Sequence, residues 1–262
     1  MVMTQGITTV NYFQKVLPIG IAAHRGYAAK YPENTMLAIQ AAVDAKVFSI
    51  EVDIQFSQDG IPFLFHDVDF ERIANVSTRI FETTMKDIKK IPILKPKNID
   101  SSSDLYSSTL AEFVDYLRAN PKVQAFIEIK PDSINHFGVQ FVIRQLEQEL
   151  KSVRKQCLII CYSAEFLQNV REQLGLPIGH ILTIWNDKNL GDADKLKPEF
   201  VVCNHTKIPD DTNFREYSWQ WLLYEVTECD HLLSLAQQGV QWVESKNPEK
   251  LMQCLEGIQE NG

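Results

Sequence analysis

Apolar, β-branched runs alternate along the chain with segments of helical period. The first pair is "LPIGIAAH" at residues 17–24 followed by "NTMLAIQAAVDAK" at 34–46, where Met36, Ile39 and Val43 share one helix face. Further strands are predicted at "VFSIEVDIQ" (47–55), "VQAFIEIK" (123–130), "CLIICYS" (157–163), "IGHILTIW" (178–185), "EFVVCN" (199–204), "QWLLYEVT" (220–227) and "GVQWVES" (239–245). Helical patterns fall between most of them, including 138–151, 163–174 and 229–237. Eight strands with intervening helices fit an α/β (β/α)8 TIM barrel, whereas an open doubly wound sheet more often has five or six strands.

One stretch breaks this rhythm. Residues 67–108 are polar, carry two prolines and a serine-rich end, and offer a single short helix around 83–90. They read as a small insertion after the second strand of one domain spanning 1–262.

In a barrel, residues ending the strands face the mouth where chemistry is done. His24 and Arg25 end the first strand, Glu51 and Asp53 interrupt the second, His66 closes the short run "IPFLFHD", and Glu128 with Lys130 ends the next strand. Residues two apart on a strand share a face at about 6.6 Å, so Glu51 and Asp53 look inward together. Two like charges there repel and raise each other's pKa unless a cation lies between them. Glu128 from the neighbouring strand adds a third carboxylate. An all-oxygen set suits a hard ion such as Mg2+ or Ca2+, whereas zinc recruits histidine or cysteine. Asn34, ahead of the first helix, is expected as its N-cap.

Charge narrows the partners. A net charge of -8 argues against a surface that coats nucleic acid, so any phosphate-bearing ligand must be held locally. The start "MVMTQGITTVNYFQKVLPIG" lacks the pattern of a signal peptide, and no window approaches 18 uninterrupted apolar residues, so a cytoplasmic protein without a stable membrane anchor is expected. Five cysteines form no framework spacing. Cys157 and Cys161, about 13 Å apart on one strand, are too distant to bridge, and reduced core thiols are expected.

Together, "HRG" at 24–26, "PENT" at 32–35, "IEVD" at 50–53, "DG" at 59–60, "HD" at 66–67 and "IEIK" at 127–130 resemble the glycerophosphodiester phosphodiesterase family. The resemblance implies a (β/α)8 barrel binding one divalent cation, Mg2+ or Ca2+, through Glu51, Asp53 and Glu128. It makes His24 and His66 an acid/base pair and gives Arg25 and Lys130 to the substrate phosphate. The implied substrate is a small phosphodiester cleaved to sn-glycerol 3-phosphate and an alcohol, with either water or a substrate hydroxyl as nucleophile. Two other readings stay open: lysophospholipase D-like hydrolysis, with Trp219, Trp221 and Trp242 forming an apolar entrance, and a noncatalytic ligand-binding barrel. The sequence departs from the family's common Ile-Thr-Asp at Glu244, Ser245 and Lys246, and from its Trp-Thr-Val-Asn at "YEVTE", residues 224–228.

Overall fold

The computed structural model describes residues 19–96, 99 and 105–260. The serines at 101–103 and all but the end of the N-terminal stretch just discussed therefore lie outside the described residues. The strands are β1 (Gly20–His24), β2 (Ser49–Phe56), β3 (Pro62–Leu64), β4 (Gln124–Ile129), β5 (Cys157–Cys161), β6 (Ile178–Ile181), β7 (Phe200–Asn204), β8 (Gln220–Tyr224) and β9 (Trp242–Ser245). All but β3 pair in parallel in the order β1-β9-β8-β7-β6-β5-β4-β2, and β1 also pairs with β2, which closes an eight-stranded barrel.

Every strand has two buried faces, which is why the strands read as nearly continuous apolar runs. One face fills the barrel interior with Ala22, Phe126, Leu158, Ile160, Ile181, Phe200, Val202 and Leu222. The other packs against the helical ring, with Ile50, Val52, Ile54, Ile127, Ile159 and Val201 among the residues fully out of water. Trp221 belongs to that outer layer and Trp219 is buried with it, while Trp242 starts β9 at the opposite end of the barrel from His24. None of the three forms an apolar entrance at the mouth.

The first helix, Met36–Asp44, buries Ala38, Ile39 and Ala42. Its cap is Thr35, whose side chain accepts from the Ala38 amide, rather than Asn34. Asn34 takes a left-handed backbone (φ 55°), which Asn tolerates better than most residues, and turns its amide toward β2.

Beyond β2 the chain returns as β3, antiparallel to it. The following segment builds a satellite core from Phe63, Phe65, Phe70, Ile80, Met85 and Ile88. The helix expected around 83–90 occupies Met85–Ile88, capped by Thr84. Glu71–Ala74 adds a helical turn too short for a hydrophobic period to reveal.

The expectation of reduced cysteines holds for Cys157, Cys161 and Cys203, which are buried free thiols, and fails for the other two. Cys229 opens the helix Cys229–Gln238 and is bridged to Cys254 on the helix Pro248–Glu260, with Cα atoms 5.9 Å apart. Packing of the last two helices brings the pair together, and a spacing of 25 residues carries no signal of it. The reduced-thiol premise thus does not extend to the whole chain.

Candidate active site

All seven residues singled out from the sequence converge at the C-terminal mouth of the barrel. His24, Arg25, His66, Glu128 and Lys130 line a cavity of about 130 Å³ there, and Glu51 and Asp53 lie beneath. A cavity of about 440 Å³ opens at the other end, but its walls are mainly apolar, with Phe126, Leu158, Phe200 and Trp242 among them. The chemistry-bearing groups sit at the smaller one, at the face that barrels use for catalysis.

Backbone geometry delivers the "HRG" residues to this mouth. After His24 the chain reverses through two successive left-handed residues, Arg25 (φ 58°) and Gly26 (φ 77°). Glycine is required at the second, because a Cβ would lie 2.6 Å from the Ala38 carbonyl carbon. The turn aims the Arg25 amide at Glu51 Oε2 (2.9 Å) and places its Nε 3.0 Å from Asp53 Oδ2, an ion pair out of line for a hydrogen bond. Its Nη1 donates to Glu33 Oε1 at 2.8 Å.

Glu51, Asp53 and Glu128 offer carboxylate oxygens within 4.8 Å of one another. Asp53 accepts from Asn34 Nδ2 at 2.8 Å, while Lys130 Nζ lies 3.3 Å from Asp53 Oδ1 and 2.6 Å from Glu128 Oε1. Burial would raise Asp53, but Arg25 and then Lys130 outweigh it and hold the carboxyl down to about 2. Glu128 is pushed up to about 7, first by burial and then by Asp53. Glu51 lies well above the ordinary range for the same two reasons, and its Oε1 is buried without a donor. An orphaned oxygen in an all-carboxylate triad fits a hard divalent cation.

The two histidines are held alike. Nδ1 of His24 is 2.7 Å from Glu225 Oε2, and Nδ1 of His66 is 2.6 Å from Asp67 Oδ1. Burial lowers the His66 pKa, outweighing the pull of Asp53. Asp67 is braced by Arg72 Nε at 2.7 Å, and Arg72 also donates twice to Glu33, so one chain of charges links His66 to Arg25.

Sequence reasoning missed the parts played by Glu33, Asn34, Asp67, Arg72 and Glu225, and it registered Glu244 only as a departure. The period-2 alternation of Trp242 and Glu244 on β9 was an available signal for the last, since it turns both side chains toward the barrel interior.

A closed parallel barrel with clustered carboxylates, two supported histidines and two cationic side chains at its mouth has the makings of a phosphoester-processing site. The chain belongs to the glycerophosphoryl diester phosphodiesterase family, whose model matches residues 24–250. Among curated relatives, glycerophosphodiester phosphodiesterase 1 of Mus musculus is 32% identical over 70% of this chain, and that of Bos taurus 36% identical over 70%. The matched part spans 54% of the length of each relative. Solved structures share the fold. An Oleispira antarctica phosphodiesterase in complex with the product sn-glycerol-3-phosphate has a TM-score of 0.80 at 19% identity, covering 93% of this chain and 99% of its own. A glycerophosphodiester phosphodiesterase from Agrobacterium tumefaciens has a TM-score of 0.71 at 18% identity, covering 89% and 98%.

Proposed function

We propose that the protein hydrolyses glycerophosphodiesters to sn-glycerol 3-phosphate and an alcohol, with residues 67–108 as an insertion in one catalytic domain. The observation that carries this reading is the convergence of Glu51, Asp53, Glu128, His24, His66, Arg25 and Lys130 at one barrel mouth in a chain of this family. The product named for the Oleispira protein is of the same chemical class.

Glu51, Asp53 and Glu128 would hold one divalent cation, Mg2+ or Ca2+, which when bound offsets the negative charge of the phosphodiester and of its transition state. Arg25 and Lys130 bind phosphate oxygens, Arg25 with its guanidinium already oriented by Glu33. With Nδ1 of each histidine engaged by a carboxylate, Nε2 of His24 and of His66 is left for proton transfer. One takes the proton of the nucleophile, and the other protonates the departing alkoxide. The buried positions of Trp219 and Trp221, and the place of Trp242 at the far end, favour small diesters over lysophospholipids.

The test is a panel of glycerophosphodiesters and lysophospholipids incubated with Mg2+, with Ca2+ or with chelator, scoring release of glycerol 3-phosphate. Cation-dependent turnover of glycerophosphodiesters ahead of lysophospholipids is expected. Faster cleavage of lysophosphatidylcholine than of glycerophosphocholine would overturn the substrate assignment, and inactivity on the whole panel the function.

A further inference from the structure

Glu244 is a buried carboxylate in a place that packing does not ask for one. It sits near the end of β9, 3% exposed, and faces the same cavity as Ile160, Ile181 and Val202 from β5, β6 and β7. An apolar residue would complete that layer. A buried carboxylate there is costly unless something positive meets it.

The positive side chains of the mouth are committed elsewhere. Lys130 Nζ contacts Asp53 and Glu128, and Arg25 reaches Asp53 and Glu33. Among the described residues, the two buried carboxylate oxygens of this mouth left without a donor are Oε1 of Glu51 and Oε1 of Glu244, each on a side chain at least nine-tenths buried. Glu51, Glu244 and His24 offer ligand atoms within 4.8 Å of one another, a second triad sharing Glu51 with the first. Two oxygens that each bind an ion at 2.0–2.6 Å can lie at most about 5 Å apart, so this spacing suits one hard cation between them.

We propose that the barrel mouth binds a second divalent cation between Glu51 and Glu244, so that Glu51 bridges two ions. This inference rests on the cation-binding role proposed above for Glu51, Asp53 and Glu128. The second ion takes the orphaned Oε1 of Glu244 together with one oxygen of Glu51, whose two oxygens are divided between the ions, and completes its shell with water or substrate phosphate oxygens, as a hard cation held by few carboxylates does. His24 stays outside that shell: its imidazole is the softer donor, its Nδ1 is tied to Glu225, and its Nε2, 3.9 Å from Glu51 Oε2, is kept for proton transfer. A pair of ions clamping one phosphodiester is a recurrent arrangement in phosphoryl hydrolysis.

The test counts ions on the metal-stripped full chain, with Mn2+ alone as probe and equilibrium dialysis as readout. Two Mn2+ per chain are expected in the wild type, one in Glu244→Gln and one in Asp53→Asn, which disables the other position. A wild-type count of one, as a proton shared between Glu51 and Glu244 would leave it, overturns the proposal without need of a variant that folds. Retention of two ions by Glu244→Gln, with its fold checked by circular dichroism in chelator, overturns it equally. Assaying the same preparations on glycerophosphodiesters separates the readings: one bound ion with turnover rejects only the second site, and two bound ions without turnover reject only the proposed function.

Discussion

Glu225 Oε2 stands 2.7 Å from Nδ1 of His24, on the opposite side of the imidazole from Glu51. A carboxylate there fixes the Nδ1–H tautomer, turns Nε2 toward the cavity and steadies the ring when it becomes positive. Glu225→Gln keeps the shape and loses the charge, and its amide can present the wrong group to Nδ1. A fall in kcat of about 10²-fold or more is expected, with KM changing little and the pH profile of kcat displaced. A variant with the wild-type pH profile would show that Glu225 serves packing alone.

The counterpart at His66 is weaker by construction, because the His66 side chain is 33% exposed where that of His24 is 11%, so water competes more for its ring. Asp67→Asn is expected to lower kcat by about 10-fold, and His66→Ala by about 10² to 10⁴-fold. Glu33→Gln, which unties Arg25 from Arg72, should instead raise KM several-fold if its effect falls on Arg25 as the side chain proposed to bind phosphate. Steady-state kinetics on glycerophosphocholine separates these effects. A Glu33→Gln enzyme with unchanged KM and lowered kcat would remove Arg25 from phosphate binding.

The barrel was legible because each parallel strand is buried on both faces, and such strands write themselves as apolar runs. Polar residues breaking those runs, as at Glu51, Asp53 and Glu128, stood out against that background. What stayed hidden depends on features with no local signature. Asn34 serves Asp53 because its backbone is left-handed, which hands the cap to Thr35. Glu225 lies one residue past β8, where alternation ends and loop geometry aims the side chain. The partnership of Glu33 with Arg72 joins residues 39 apart through a segment with little periodicity.

Cys229 and Cys254 give a test independent of the active site. A cross-link closing a loop of this size contributes about 3.5 kcal/mol on the chain-entropy account. For a chain this long, that corresponds to roughly 5–10 °C in melting temperature. The double variant Cys229→Ser/Cys254→Ser should melt lower by that amount and be indifferent to reductant. Thiol titration of the denatured, unreduced wild type should find three free cysteines of the five. Five reactive thiols, or a wild-type melt unmoved by reductant, would refute the bridge.

The last prediction concerns how pH and cation act together on stability. Glu128 is pushed up to about 7, so the metal-free folded chain keeps a proton that the unfolded chain releases near 4.5. Raising the pH from about 4.5 to 7 therefore destabilises the metal-free fold through this residue, and the penalty is complete above 7. Asp53 has the opposite sign: held down to about 2 by Arg25 and Lys130, it contributes stability above its usual 3.8 that is lost as the pH falls toward 2. The lowered pKa of His66 likewise favours the fold above 6.5 and costs stability below it. These terms overlap in the metal-free melt, but the difference between cation-loaded and chelated protein isolates the protons that the ion displaces. Because a cation needs the ionised carboxylate, its apparent affinity should fall by up to about tenfold per pH unit below 7 for each proton displaced. Melting curves at pH 6, 7 and 8, each with a fixed subsaturating Mg2+ or Ca2+ concentration and with chelator, should show a stabilising shift that widens with pH. In Glu128→Gln the shift should be smaller at every pH and less dependent on pH. A shift of equal size at pH 6 and pH 8 in the wild type would mean that the ion binds away from Glu128.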